Sequence, residues 1–368
     1  MTKNLLTSAR DAVLNSMTEH KYPWRWSLSD LNTVTKNGAT VFSCFSCGGG
    51  STMGYKLAGY DVIGNVEIDK NMMQIYRKNN NPKYSYLMDI RNFVELPNDE
   101  LPQELFNLDI LDGSPPCTTF SVAGLREKSW GKEKQFREGL KKQRLDDLFF
   151  VFIETIKKLR PKIFVAENVE GLIKGNAKGY VNEIIRELKQ ANYTAQLFLL
   201  DASVMGVPQR RRRVFFVGHD TKYDWKPLCL SYHEPQILFG KVRSKTGRPY
   251  TGVYNKILQQ YKRGDKTISD IRIRTGTNNR NGFNNTICAD DEVHATITSG
   301  GFAFRAFDKT RLSDKDIISV STFPEDYDFA DQNTKYVCGM SVPPVMMAHI
   351  ANDIYNQWIA PNKQEAAQ

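Results

Sequence analysis

Residues 113–117 read Gly-Ser-Pro-Pro-Cys, and a thiol approached through two prolines is the first candidate for chemistry in this chain. Each pyrrolidine ring fixes φ, so the approach to Cys117 is stiff and its backbone sets the direction of the sulfur. A lone cysteine is by default a small buried hydrophobe. Cys117, however, ends a rigid turn after the apolar run 108–111. The polar, glycine-containing stretch 118–139 follows it, a context that suits a nucleophile beneath a mobile loop. An aromatic residue in its place would point to methylation of an exocyclic amine. A cysteine there points to covalent attack on a ring.

Three further groups stand at comparable places. Glu167-Asn168-Val169 follows the apolar run Ile163 to Ala166, and a carboxylate at a buried strand end needs a partner or a task because its desolvation is costly. A capping or salt-bridged acid is the plain alternative. Gly206-Val207-Pro208-Gln209 leads into Arg210 to Arg213 and a strand-like Val214 to Val217, where alternation would point Arg211 and Arg213 the same way. Phe45-Ser46-Cys47-Gly48-Gly49-Gly50, with Gly54 beyond, lies between a strand-like and a helix-like piece. Glycines there permit a tight turn and close backbone approach to a ligand, or merely a structural turn. Glu67, about twenty residues on at a strand end, suits ribose hydroxyls, and Asp89 suits an adenine amine. These imply a nucleoside-containing cofactor without identifying it. Cys44 and Cys47 have zinc or redox spacing but no second Cys or His pair, so they read as reduced thiols and no metal is expected.

The elements that must position these residues alternate. Strand-like 40–45, 61–68, 108–111 and 162–165 are interleaved with helix-like pieces ending near 58, at 70–79, 145–159 and 180–190. This predicts an α/β fold, a doubly wound and mostly parallel sheet with helices on both faces, whose ligands lie beyond the strands' carboxyl ends. After Val217 the alternation stops. Residues 220–290, rich in Gly, Asn, Lys and Arg, read as a smaller irregular domain, and 341–358 as one helix. The net charge of +9 is uneven: Gly206 to Arg274 carry sixteen Lys and Arg against five Asp and Glu, so the remainder sums to −2. A basic excess confined to one segment is an electrostatic footprint for a polyanion, or else a solvated basic surface. No apolar run nears the ~20 residues of a membrane span, and residues 1–16 lack a secretion signal, so the chain is expected to stay in the cytoplasm.

Taken in order, Pro-Pro-Cys, Glu-Asn-Val and Gln-x-Arg-x-Arg resemble the cytosine-5 DNA methyltransferase family, a likeness extending from about residue 39 to 358. The resemblance implies a Rossmann-like class I methyltransferase sheet with a smaller, irregular target-recognition domain. The implied divisions are an N-terminal extension (1–38), a catalytic domain binding S-adenosylmethionine (39–219), the recognition domain (220–295), a returning C-terminal segment (296–360) and a disordered tail (361–368). It also implies cofactor contacts from Phe45, Gly49, Gly50, Glu67, Ile68, Asp89, Ile90, Pro116, Leu148 and Ser341, with S-adenosylhomocysteine as product. Where the family usually has Asp, Gly, Gln and Asn, this chain has Ser43, Cys47, Thr118 and Met340.

The chemistry implied is attack of the Cys117 thiolate on carbon 6 of a flipped cytosine, which turns the ring into an enamine-like nucleophile at carbon 5. Glu167 would hold a proton at ring nitrogen 3, if burial keeps it protonated. Arg213 would hold the base oxygen, with Arg211 bracing the site. Double-stranded DNA is the expected partner of a monomer encoded by a prokaryote or phage, with a cognate restriction endonuclease as companion. A transfer RNA cytosine methyltransferase and a non-catalytic DNA-binding relative are the alternatives.

Overall fold

Seven strands form the main sheet: β1 (Thr40–Cys44), β2 (Asp61–Glu67), β3 (Tyr84–Leu87), β4 (Ile110–Gly113), β5 (Ile163–Val169), β6 (Gln196–Asp201) and β7 (Arg212–His219). Their order across the sheet is β3-β2-β1-β4-β5-β7-β6. The computed structural model describes residues 20–116, 147–174, 178–276 and 282–365. Cys117, Thr118 and the start of the N-terminal extension lie outside the described residues. The chain divides into two compact units. One holds Thr35–Leu200, Arg212–Leu230 and Ala351–Gln368; the other holds Met1–Val34, Asp201–Arg211 and Ser231–Ile350.

Pairing is parallel from β3 through β2, β1 and β4 to β5, and β7 runs antiparallel to β5. The expected doubly wound, mostly parallel sheet is therefore present. Val41, Phe42, Ser43 and Cys44 of β1 and all four residues of β4 are buried, as parallel strands covered on both faces require. From β1 the chain moves one way to β2 and β3, while β4 and β5 lie on its other side. The β1/β4 boundary is thus the switch point beside which such sheets open a crevice.

The helices are built to cover this sheet. Lys70–Asn80 starts at Asp69, whose side chain accepts the N–H groups of Asn71 and Met72. It buries Met72, Met73, Ile75 and Tyr76 on one stripe, and stops at Asn81 in the left-handed conformation, φ 44°. Leu148–Leu159 buries Leu148, Phe149, Phe152, Ile153, Ile156 and Leu159. Its Phe152 ring lies so close to β4 that a Cβ on Gly113 would stand 2.5 Å from it. Glycine at the first position of the Gly-Ser-Pro-Pro-Cys run is thus a packing requirement, since no side chain fits between strand and ring.

The second unit contains a small parallel pair, β8 (Thr286–Cys288) with β9 (Ala303–Arg305), over a core of Leu258, Ile268, Ile271, Ile287, Phe304 and Ala306. Residues 25–28 are stitched to 322–326: Trp26 Nε1 donates to the Thr322 carbonyl at 2.9 Å, and Glu325 N–H to the Trp26 carbonyl at 2.8 Å. The C-terminal helix Pro344–Ile354 passes through a π-helical turn, Tyr355–Ile359. Helical backbone runs on to Glu365, past the expected end of order at Pro361. Among the described residues no helix is long and apolar enough to cross a membrane.

Gly113→Ala should destabilise the fold by about 1–3 kcal/mol through overpacking against Phe152, and Phe152→Ala by about 3–5 kcal/mol. Urea unfolding midpoints of the two variants against the parent test both values.

Candidate active site

The carboxyl end of β5 performs two jobs because successive strand residues face opposite ways. Asn168 is buried, and its Nδ2 donates to the Pro115 carbonyl at 3.0 Å, gripping the backbone two residues before the expected nucleophile. Glu167 faces the other way, with its Oε1 2.9 Å from Nε of Arg213. In the β5–β7 register Arg213 stands opposite Val169, so it reaches Glu167 along the diagonal. Both side chains are nearly buried, 14% and 11% exposed. Burial draws the Arg213 guanidinium below its ordinary range, and the Glu167 charge opposes that.

Arg211 lies just before β7, so strand alternation does not extend to it. Its partners are also different. The guanidinium is buried and donates to the carbonyls of Ile297 (3.0 Å), Gly339 (3.0 Å) and Ser341 (2.7 Å), all within the second unit. A planar fork with several donors suits this convergence of carbonyls. Ser341, an expected cofactor residue, is therefore tied to Arg211, while Glu167 and Arg213 belong to the first unit with the other expected cofactor residues.

The loop after β1 turns sharply. Phe45, Cys47 and Gly49 all have positive φ, 53°, 47° and 87°. Two of these are not glycine, so the conformation must be held by its surroundings. Glu67, at the end of β2, supplies part of that hold: it accepts Cys47 N–H and Asp69 N–H, each at 2.8 Å. Burial raises its carboxyl above the usual range, against the pull of those backbone donors. Gly50 opens the following helix, and Ile68 comes directly after Glu67.

Asp89 caps the helix Ile90–Glu95 through Arg91 N–H at 2.9 Å. The Arg91 side chain bridges it to Asp147, with contacts of 3.1 and 2.7 Å, at the start of the helix that carries buried Leu148. Ile90 is buried beside it. Nothing in the sequence marks Arg91 and Asp147 as partners, since 56 positions separate them. Cys44 lies in the interior, its thiol raised by burial and by Asp112. Cys47 turns its sulfur to Met72 Sδ at 3.6 Å. Among the described residues no group of His, Cys, Asp and Glu is arranged to hold a metal.

The described residues thus bring a sharply turned glycine loop with its strand-end acid, a rigid Pro-Pro approach and a carboxylate–guanidinium pair to the carboxyl ends of adjacent strands. Asn168→Ala leaves the buried Pro115 carbonyl without its donor and should cost about 1–3 kcal/mol. Asn168→Asp, which keeps the shape but cannot donate, should be no better. Chemical denaturation of both variants checks this.

Comparison with known proteins places these features. The C-5 cytosine-specific DNA methylase family matches residues 39–356. The Type II methyltransferase M.AplI of Arthrospira platensis is 26% identical over 341 residues, 88% of each chain. The Type II methyltransferase M.FnuDI of Fusobacterium nucleatum is 36% identical over 48% of this chain and 46% of its own. Among solved structures, a protein described as a DNA modification methyltransferase encoded within an E. coli prophage superposes with a TM-score of 0.64. It has 18% identity and covers 87% of this chain and 99% of that one, a likeness of fold.

Proposed function

The chain belongs to the C-5 cytosine-specific DNA methylase family, and from that premise we propose that it methylates carbon 5 of a cytosine flipped out of duplex DNA, with Cys117 as nucleophile. Its chief support is the Asn168–Pro115 hydrogen bond, which ties the Pro-Pro-Cys segment to the strand end that presents Glu167.

The residues beyond β1 and β2 fit S-adenosylmethionine. Glu67, at the end of β2, accepts Cys47 N–H and Asp69 N–H, and a carboxylate has further acceptor sites beyond these. Glu67 would hold the ribose, Asp89 the adenine amine, and Phe45, Ile68, Ile90, Pro116 and Leu148 the apolar walls. Gly49 and Gly50 would give backbone approach. When bound, the cofactor supplies an electrophilic methyl group on a sulfonium.

The Cys117 thiolate would add to carbon 6 of the base, leaving carbon 5 electron-rich. A free thiol titrates near ~8.5, so the site must favour its ionised form. As density moves to ring nitrogen 3, a proton shared there with Glu167 would balance it, and Arg213 would stabilise the charge developing on the base's carbonyl oxygen. Arg211 is a positioning residue, bracing the Gly339–Ser341 backbone. Loss of the carbon 5 proton and expulsion of the thiolate release the product. Unstacking the base costs a few kcal/mol, roughly, and phosphate contacts from a basic recognition domain over 220–295 would offset it. The catalytic domain is assigned to 39–219 and the returning segment to 296–360. The protein would act as a monomer in the cytoplasm of a prokaryote, protecting host or phage DNA, with a restriction endonuclease as companion.

Cys117→Ser should abolish methyl transfer to duplex DNA while leaving DNA binding within about threefold of the parent, read by radiolabelled methyl incorporation and gel shift. DNA carrying 5-fluorocytosine at a mapped target should form a denaturation-resistant adduct with the parent protein only; its absence at a proven site excludes the covalent route. Glu167→Gln should lower kcat by about 10²–10⁴-fold with little change in cofactor affinity, and transfer RNA should remain unmethylated throughout.

A further inference from the structure

The carboxyl end of β4 holds an acid that this mechanism does not use. Asp112 is 2% exposed. In the β1–β4 register it lies opposite Ser43, whose hydroxyl donates to its Oδ2 at 2.9 Å. Tyr55, from the helix Gly50–Leu57, donates its hydroxyl to Oδ1 at 3.3 Å. The other titratable groups acting with it are Cys44 on β1, Tyr76 on the helix Lys70–Asn80 and Glu167 on β5. Among the described residues it has no cationic partner.

Burial therefore dominates, and pushes the carboxyl up to about 7 despite the two hydroxyl donors, with the Glu167 charge adding to the rise. Cys44 and Tyr55 respond in kind. Both are raised well above their ordinary ranges, first by burial and then by Asp112.

The position gives this acid mechanical leverage. Ser43 is two residues before Phe45, where the left-handed loop begins, and Asp112 is three before Pro115, which Asn168 grips. A single side chain spans the outlets of two neighbouring strands, one leading to the nucleotide loop and the other to Cys117. We propose that Asp112 is the positioning residue that joins these outlets, and that the catalytic unit works with this carboxyl protonated, so that alkaline pH loosens the joint. A buried carboxylate with no cation beside it must draw in water, and parting the strand ends admits it. The catalytic consequence rests on the methyl-transfer reading, whereas the structural one does not.

The folded state holds this proton to higher pH than the unfolded chain, whose aspartates titrate near ~3.9. Stability conferred by the neutral acid is complete below that value. It falls as pH rises towards 7 and levels off above it. Asp112→Asn cannot ionise. Its melting temperature relative to the parent should climb by several degrees between about pH 5 and 7.5 and then hold constant. The parent's methyl-transfer rate divided by that of D112N should fall at least about threefold from pH 6 to 8.5, following one ionisation. A melting gap independent of pH overturns the proposal. A moving gap with a flat rate ratio overturns the positioning role. If neither protein methylates any DNA, the functional reading fails while the melting comparison still decides the structural part. Ser43→Ala removes a donor that favours the charged form, so its stability transition should move to higher pH. Should D112N not fold, an unmoved transition in S43A overturns the proposal.

Discussion

The antiparallel pairing of β5 with β7 is the constraint on which the site hangs. That register puts Arg213 diagonal to Glu167, with 2.9 Å between Nε and Oε1, and the same three-residue strand end turns Asn168 to the other face to hold Pro115. A charged group so nearly dry is tolerable only when paired. Removing one member of such a pair typically costs about 3–5 kcal/mol, because the other is left uncompensated. The site's carboxylate and its guanidinium are thus held in place by each other as much as by their strands.

Around this pair the strand outlets carry unusual strain and unusual charge. The loop after β1 forces Phe45 and Cys47 into left-handed backbone, and buried Glu67 receives the N–H of Cys47. Asp112 lies fully enclosed opposite Ser43. Apolar packing alone would put neither acid there. Perturbed carboxyls gathered at the carboxyl ends of a doubly wound sheet are what a binding and catalytic crevice demands. The conflict between packing and polarity is clear at these outlets, although the sheet also buries Asn65 on β2 and His219 on β7.

Elements with strong local signals were legible in the sequence. The runs that became β1, β2, β5 and β7 and the helices Lys70–Asn80, Leu148–Leu159 and Lys178–Gln190 lie within a few residues of their predicted bounds. Two strands of the main sheet were not. Tyr84–Leu87 has three partly buried residues and an exposed Leu87, and Gln196–Asp201 carries exposed leucines at 197 and 199, so neither shows the apolar signature of a central strand. The residues of the candidate site divide in the same way. Glu67, Glu167, Arg211 and Arg213 stood out by type and spacing, whereas the Asn168 grip, the Arg91 bridge to Asp147 and the enclosure of Asp112 had no sequence mark.

What the sequence determined by itself is local: the stiffness of the Pro-Pro approach, the glycine turn, the acid closing an apolar strand and the segment carrying the positive charge. Each depends on dihedral limits or desolvation within a few residues, which composition expresses directly. What only the tertiary structure decided is which distant groups meet. The order β5-β7-β6, with an antiparallel strand inserted, cannot be read from chain order because strand partners are chosen by non-local hydrogen bonding and burial. The same holds for the two arginines. Arg211 and Arg213 are two residues apart in one basic run, yet one braces three carbonyls of the second unit and the other holds Glu167. Their chemistry is identical, and their partners depend on where β7 begins.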